Sequence, residues 1–205
     1  MGVKERRERE KEATRRGILD AAQSIARAEG WSAVTIRKVA DAIEYSPSIV
    51  YEYFSSKEAI LLALLHEGFA AMAAYMRRAL SSDGDQSSRL HRLATSYVAF
   101  ARQYPELYQV MHGFAGIAID PQVRGAAAQD VCEIVENALI AWAQDANVVL
   151  HDPRVDAEIS WSLLHGIVSL SIVDRMSPDT AYVDQLVTRA VDTLLSGWSA
   201  GATSG

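Results

Sequence analysis

Residues 35–60 read TIRKVADAIEYSPSIVYEYFSSKEAI, from Thr35 to Ile60, and carry three helix starts in close succession. Thr35 precedes Ile36, Val39, Ala40 and Ile43. These fall on an i, i+3, i+4, i+7 stripe, so the threonine hydroxyl is placed to cap a helix of about two turns. A helix that short is not stable in isolation. Ser46 and Pro47 form the second start, because serine caps well and proline at the first helical position gives up only an amide with no helical partner. The second helix runs to about Tyr53, with Ile49, Val50, Tyr51 and Phe54 to hold it against the first. Ser55 with Glu58 forms a capping box that opens a third, longer helix. Two short helices joined by a tight turn and backed by a long one make a helix-turn-helix.

At this fixed spacing Thr35, Ile36, Arg37, Val39 and Ala40, then Ser46, Pro47, Val50, Tyr51, Tyr53 and Phe54, then Ser56, Lys57, Glu58 and Ile60 resemble the TetR family of bacterial transcriptional regulators. The departure is Glu44, which stands where the family usually has glycine. A turn residue there often needs positive φ, which costs a non-glycine about 1 kcal/mol. The resemblance implies an all-α fold of about nine helices. Residues 14–60 would be the DNA-binding head and residues 61–205 a helical ligand-binding and dimerisation domain. It also implies that Pro47 to Tyr53 is the recognition helix, lying in the major groove. Thr35, Tyr51, Tyr53 and Lys57 are then suited to phosphates, and Arg37, Pro47, Ser48 and Glu52 to base edges, a carboxylate being able to accept from the cytosine amino group.

The net charge of −6 is unevenly spread: residues 1–60 hold 11 Lys and Arg against 10 Asp and Glu, leaving 9 against 16 for the rest. Residues 1–16 alone carry 7 basic against 4 acidic groups, so the basic footprint is local. Residues 1–13 form a charged tail that is frayed, disordered or an extension of the next helix, and Arg6, Arg7 and Arg9 are candidates to reach a minor groove. The start turns charged where a secretory signal would turn apolar. The richest apolar run, Ala59 to Met76, is broken by His66, Glu67 and Gly68 and reads as a buried helix rather than a membrane span. A single cysteine, Cys132, allows no intramolecular disulfide and fits a reducing cytoplasm. No nucleophile elbow, phosphate-binding glycine loop, zinc motif or metal-spaced histidine pair occurs, so neither an enzyme nor a cofactor is expected.

The first helix shows Ile18, Ala22, Ile25 and Ala26 on one face, and Gly30 before Trp31 predicts a left-handed cap. From Ser56 a helix of about 25 residues, about 37 Å, runs to the polar turn Ser81–Ser88. Pro105 and Gly113 bracket a short helix, and further helices follow from Pro121, near Val155 and near Val183. Aromatic and soft side chains, Tyr97, Phe100, Tyr104, Met111, Phe114, Trp142, Trp161 and His165, are candidates for a largely apolar pocket. The helix near Val155 is apolar on two faces, and a second copy of the chain is a natural cover. Ile159, Leu163, Ile167 and Leu170, with Val183, Leu186, Val187, Val191 and Leu194 of the last helix, are the expected dimer interface.

Trp161, His165 and Gly166 resemble the Trp-His-Gly ligand-binding subfamily of TetR regulators. The resemblance implies a homodimer that binds double-stranded DNA at a palindromic operator and is released by a small-molecule effector. The rival readings are a constitutive architectural DNA binder without effector and an all-α small-molecule binder with a vestigial head.

Overall fold

The computed structural model describes residues 2–114, 116, 119–177 and 179–201. Among them are nine α-helices and no strand: α1 (Val3–Glu29), α2 (Ile36–Ala42), α3 (Pro47–Tyr53), α4 (Lys57–Leu80), α5 (Gln86–Gln103), α6 (Pro105–His112), α7 (Pro121–Ala146), α8 (Pro153–Ile172) and α9 (Thr180–Gly201), with one 3-10 turn at Trp31–Ala33. Proline is the first residue of α3, α6, α7 and α8, where it costs no helical hydrogen bond. By length and composition α4 could cross a membrane, with a mean hydropathy of 1.6. Its Ile60, Leu61, Leu64, Leu65, Met72 and Met76 are buried almost completely, as in the core helix of a folded domain.

The chain divides into two compact units, Met1–Gly68 with Tyr104–Ala127, and Phe69–Gln103 with Ala128–Gly205. The residues expected as one C-terminal domain are thus shared, with α6 and the start of α7 clustering with the helix-turn-helix.

In the first unit Ile18, Leu19, Ala22 and Ile25 of α1 are buried, as are Val39, Ala40, Val50 and Phe54. Helix α1 begins at Val3, so the charged start is helical. The Gly2 amide donates to the Glu5 carboxylate at 3.0 Å, and Arg6 pairs with Glu10 one turn on at 3.3 Å. Such local pairs support the exposed first turns of the helix, which lie before its buried face begins. Gly30 has φ 83° and ψ 163°, an extended left-side conformation rather than the left-handed helical cap expected. Only glycine adopts it readily, and it turns the chain so that Trp31 is buried. Helix α6 is fixed to α1 by a forked ion pair, Arg27 Nε to Glu106 Oε1 at 2.8 Å and a second guanidinium nitrogen to Oε2 at 3.2 Å. Gly68 of α4 faces Met111 of α6 so closely that an added Cβ would stand 2.6 Å from its Sδ.

The second unit packs α9 against α5 and α8, and α5 against α8. Arg102 of α5 pairs with Asp184 at 2.7 Å, and His91 meets Asp192 at 2.8 Å. Val183, Val187 and Val191 are buried at 8% exposure or less within the single chain. Of the expected dimer face, these three and Ile167 are therefore already covered by the protomer's own helices, because the inner stripe of α9 serves α5 and α8. Leu186 and Leu194 are half-buried.

Candidate DNA interface and interior cavity

The hydroxyl of Thr35 accepts from the Lys38 amide at 3.2 Å and caps α2, as the sequence predicts. Ile43 ends α2, and Glu44 then takes φ 59°. Glu44 donates its amide to the Asp41 carbonyl at 3.3 Å and Tyr45 donates to the Ala40 carbonyl at 3.0 Å, the paired bonds of a Schellman turn. The glutamate accordingly carries the left-handed strain predicted for a residue standing in for glycine. Ser46 occupies the cap of α3, but its hydroxyl bonds the Ser48 hydroxyl at 2.7 Å instead of a helix amide.

Val50 and Phe54 are the buried anchors of α3, and Tyr51 is not one of them: it is 56% exposed. Thr35, Arg37, Pro47, Ser48 and Glu52 are exposed too, while Tyr53 and Lys57 are half-buried. Arg37 and Glu52 have no ion-pair partner among the described residues. Lys38 is held by Glu29 at 2.5 Å. Lys57 donates to the Trp31 carbonyl at 2.6 Å, so part of its role is to tie the start of α4 to the turn after α1. The cap of α4 is Ser56 rather than Ser55, its hydroxyl accepting from the Ala59 amide at 3.3 Å. Glu58 sits one position too early to close a capping box. Bonds from its own amide and from the Ser56 hydroxyl hold its carboxyl below the usual range.

Lys57 meets Trp31 at the end of α1, and Glu67 meets Arg16 near its middle at 2.9 Å, so α1 and α4 run antiparallel. The first turns of α1 therefore lead away from Thr35 and Lys57, and Arg7 lies about 36 Å of helix from Trp31. Arg6, Arg7 and Arg9, the expected minor-groove arm, are exposed on these first turns. Arg6 is also engaged by Glu10.

The second unit holds a cavity of about 60 Å3 walled by α4, α5, α7, α8 and α9. Tyr97 and Trp161 line it, as expected. His165 adjoins them, its ring stacked on Trp161 at 5.1 Å between centroids and its Nδ1 3.5 Å from the Tyr97 hydroxyl. Burial pushes the His165 pKa below its ordinary value. The other candidates lie elsewhere. Phe100 is wholly buried and edge-on to Tyr75, and Trp142 packs on Trp198 while its indole donates to Ser87 at 3.2 Å. Tyr104, Met111 and Phe114 belong to the first unit, because the chain breaks at Pro105 and α6 joins α1. Phe114 there stacks on Tyr108 and is 45% exposed. The lining that aromatic content did not reveal is aliphatic: Met76, Leu93, Leu139, Ala190 and Leu194. Its signal in the sequence is the inner stripe of α9, whose Val191 and Leu194 face this cavity.

Residues 18–64 match the family model "Bacterial regulatory proteins, tetR family", and residues 90–194 match "Tetracyclin repressor-like, C-terminal domain". Similar curated proteins include the HTH-type transcriptional repressor KstR of Mycolicibacterium smegmatis, 31% identical over 111 residues, 54% of this chain and 52% of the relative. The nucleoid occlusion factor SlmA of Vibrio vulnificus is 30% identical over 102 residues, 49% of this chain and 52% of the relative. The chain thus spans about half the length of the curated relatives it matches. Among solved structures, a protein of unknown function from Rhodococcus sp. RHA1 superposes with a TM-score of 0.78 at 24% identity, covering 90% of this chain and 95% of that one. The TetR family regulator PfmR of Thermus thermophilus does so at 0.67 and 19%, covering 87% and 97%. These structural likenesses establish the fold. Two family models, one on the helix-turn-helix and one over half the chain, make this a non-enzymatic member of the TetR family of DNA-binding transcriptional regulators.

Proposed function

We propose that the chain is a cytoplasmic, homodimeric repressor that leaves a palindromic operator when a small molecule occupies the second unit. The supporting observation is the pairing of two uncovered surfaces. Arg37, Pro47, Ser48, Tyr51 and Glu52 are exposed on α2 and α3. Val155, Ile159, Leu163, Leu170 and Val173 are 38–57% exposed along and just beyond α8. The first surface suits a major groove, with Thr35, Tyr51, Tyr53 and Lys57 toward phosphates. The second is an apolar stripe at 3,4 spacing, which a second copy would cover. Two heads would then enter successive grooves about 34 Å apart. An effector acts only by binding the two conformations with different affinity, with about 1–3 kcal/mol of coupling being typical. Trp161, His165 and Gly166 extend the likeness to the Trp-His-Gly subfamily, and the KstR relative is named a transcriptional repressor.

The deciding experiment is selection of genomic fragments by the purified protein, followed by titration of the recovered site across salt concentrations. A palindrome preferred over scrambled DNA by about a thousandfold or more is the expected result. Equal affinity for both would overturn the reading.

A second reading, a DNA binder without effector, draws on relatives named nucleoid occlusion factors. A compound that releases the operator excludes it.

A further inference from the structure

The cavity between α5, α8 and α9 has a wall without a single Asp, Glu, Lys, Arg or His. Its polar atoms are few. Ser160 spends its hydroxyl on the Asp156 carbonyl at 2.9 Å. The Tyr97 hydroxyl stands 3.5 Å from the Nδ1 of His165, a residue outside the wall whose ring stacks on Trp161. His165 is itself neutral near pH 7, since burial lowers its pKa. A carboxylate or phosphate entering this space would find no cation, and an ammonium no anion; a buried unpaired charge is the costliest group a site can accept. Trp161 belongs to the cavity wall and is 44% exposed on α8, while Arg154 at the start of that helix is paired with Glu158 at 3.5 Å.

We propose that the cavity takes an uncharged, largely apolar molecule bearing one hydrogen-bonding oxygen, and that Tyr97, backed by His165, receives that oxygen. The inference rests on reading this cavity as the effector site. At about 60 Å3 it holds only a few waters as it stands, so the ligand enters by displacing side chains at the mouth, where Trp161 is 44% exposed.

The test compares two probes of one chain length, 1-octanol and octanoate, titrated at pH 7.5 into the full chain. Tryptophan fluorescence follows occupancy, because Trp161 and Trp198 stand in the wall. The alcohol is expected to bind at least about a hundredfold more tightly than the carboxylate. Tyr97→Phe should weaken the alcohol about fivefold. Ala94→Leu and Ala190→Leu, each filling the cavity from a different helix, should abolish binding. Octanoate binding as tightly as octanol overturns the ligand class while leaving the cavity a site. Octanol binding untouched by both filling variants, or absent up to its solubility limit, overturns the effector reading of the cavity and this inference with it.

Discussion

Glu44 and Glu52 are the two residues at which this helix-turn-helix states its individuality. Glu44 closes the Schellman turn of α2 with φ 59°, a conformation glycine holds without penalty. Glu44→Gly should therefore exceed Glu44→Ala in stability by about 1 kcal/mol, since alanine keeps the strain and lacks the charge equally. Equal chemical-denaturation midpoints for the two variants would show that the turn relaxes. Glu52 is exposed on α3 without an ion-pair partner among the described residues, which leaves its carboxylate available to a base edge. Glu52→Gln is expected to alter preference at one symmetric operator position by about 1–3 kcal/mol, read from a library of single-base variants. A uniform shift across all sequences would assign Glu52 to the general electrostatic field instead.

At the scale of elements, α6 is held to the head by chemistry that spacing alone could not locate. Gly68 interrupts α4 in the sequence as though it were a weakness, yet it is the gap into which Met111 fits. Glycine to alanine in a helix normally gains about 1 kcal/mol. Here the new Cβ must displace a wholly buried side chain, an overpacking that costs about 1–3 kcal/mol. Gly68→Ala is thus expected to lower the melting temperature, and Met111→Ala in the same chain to remove that penalty. A gain in stability from Gly68→Ala alone would contradict the close fit. Helix limits were legible in the sequence because caps and prolines are local signals: Thr35, Pro47, Pro105, Gly113 and Pro121 all fall at or beside the ends they announce, whereas α8, expected from Val155, starts two residues earlier at Pro153. The cover of each apolar face was not. Periodicity marks Val183, Val187 and Val191 as one stripe, but only the packing shows that α5 and α8 of the same chain consume it. Tyr104, Met111 and Phe114 look like neighbours of Tyr97 in sequence, and the break at Pro105 sends them to another unit. The exposed face of α2 and α3 was the most legible part, since its residues lie within one window whose exposure follows from helix phase.

For the whole molecule the decisive question is what covers α8. Its exposed residues Val155, Ile159, Leu163 and Leu170 recur every four or seven positions, the repeat that keeps one side of a helix toward a partner helix. A monomer would leave that stripe in water, whereas a second copy related by a twofold axis would pair it with itself. The double variant Ile159→Asp with Leu170→Asp tests this cleanly, because both side chains are exposed and neither lines the interior cavity. Burying no charge within one chain, it should keep the helical circular dichroism of the parent. Sedimentation should show a monomer where the parent is a dimer. Operator affinity should fall by about a hundredfold or more, since two linked heads gain that much over one. Val187→Asp is the contrasting change: at 2% exposure it places a carboxylate inside the α5–α9 packing and should unfold the unit instead. If the double variant remained a dimer with unaltered operator affinity, the stripe on α8 would not be the contact that sets the spacing of the heads.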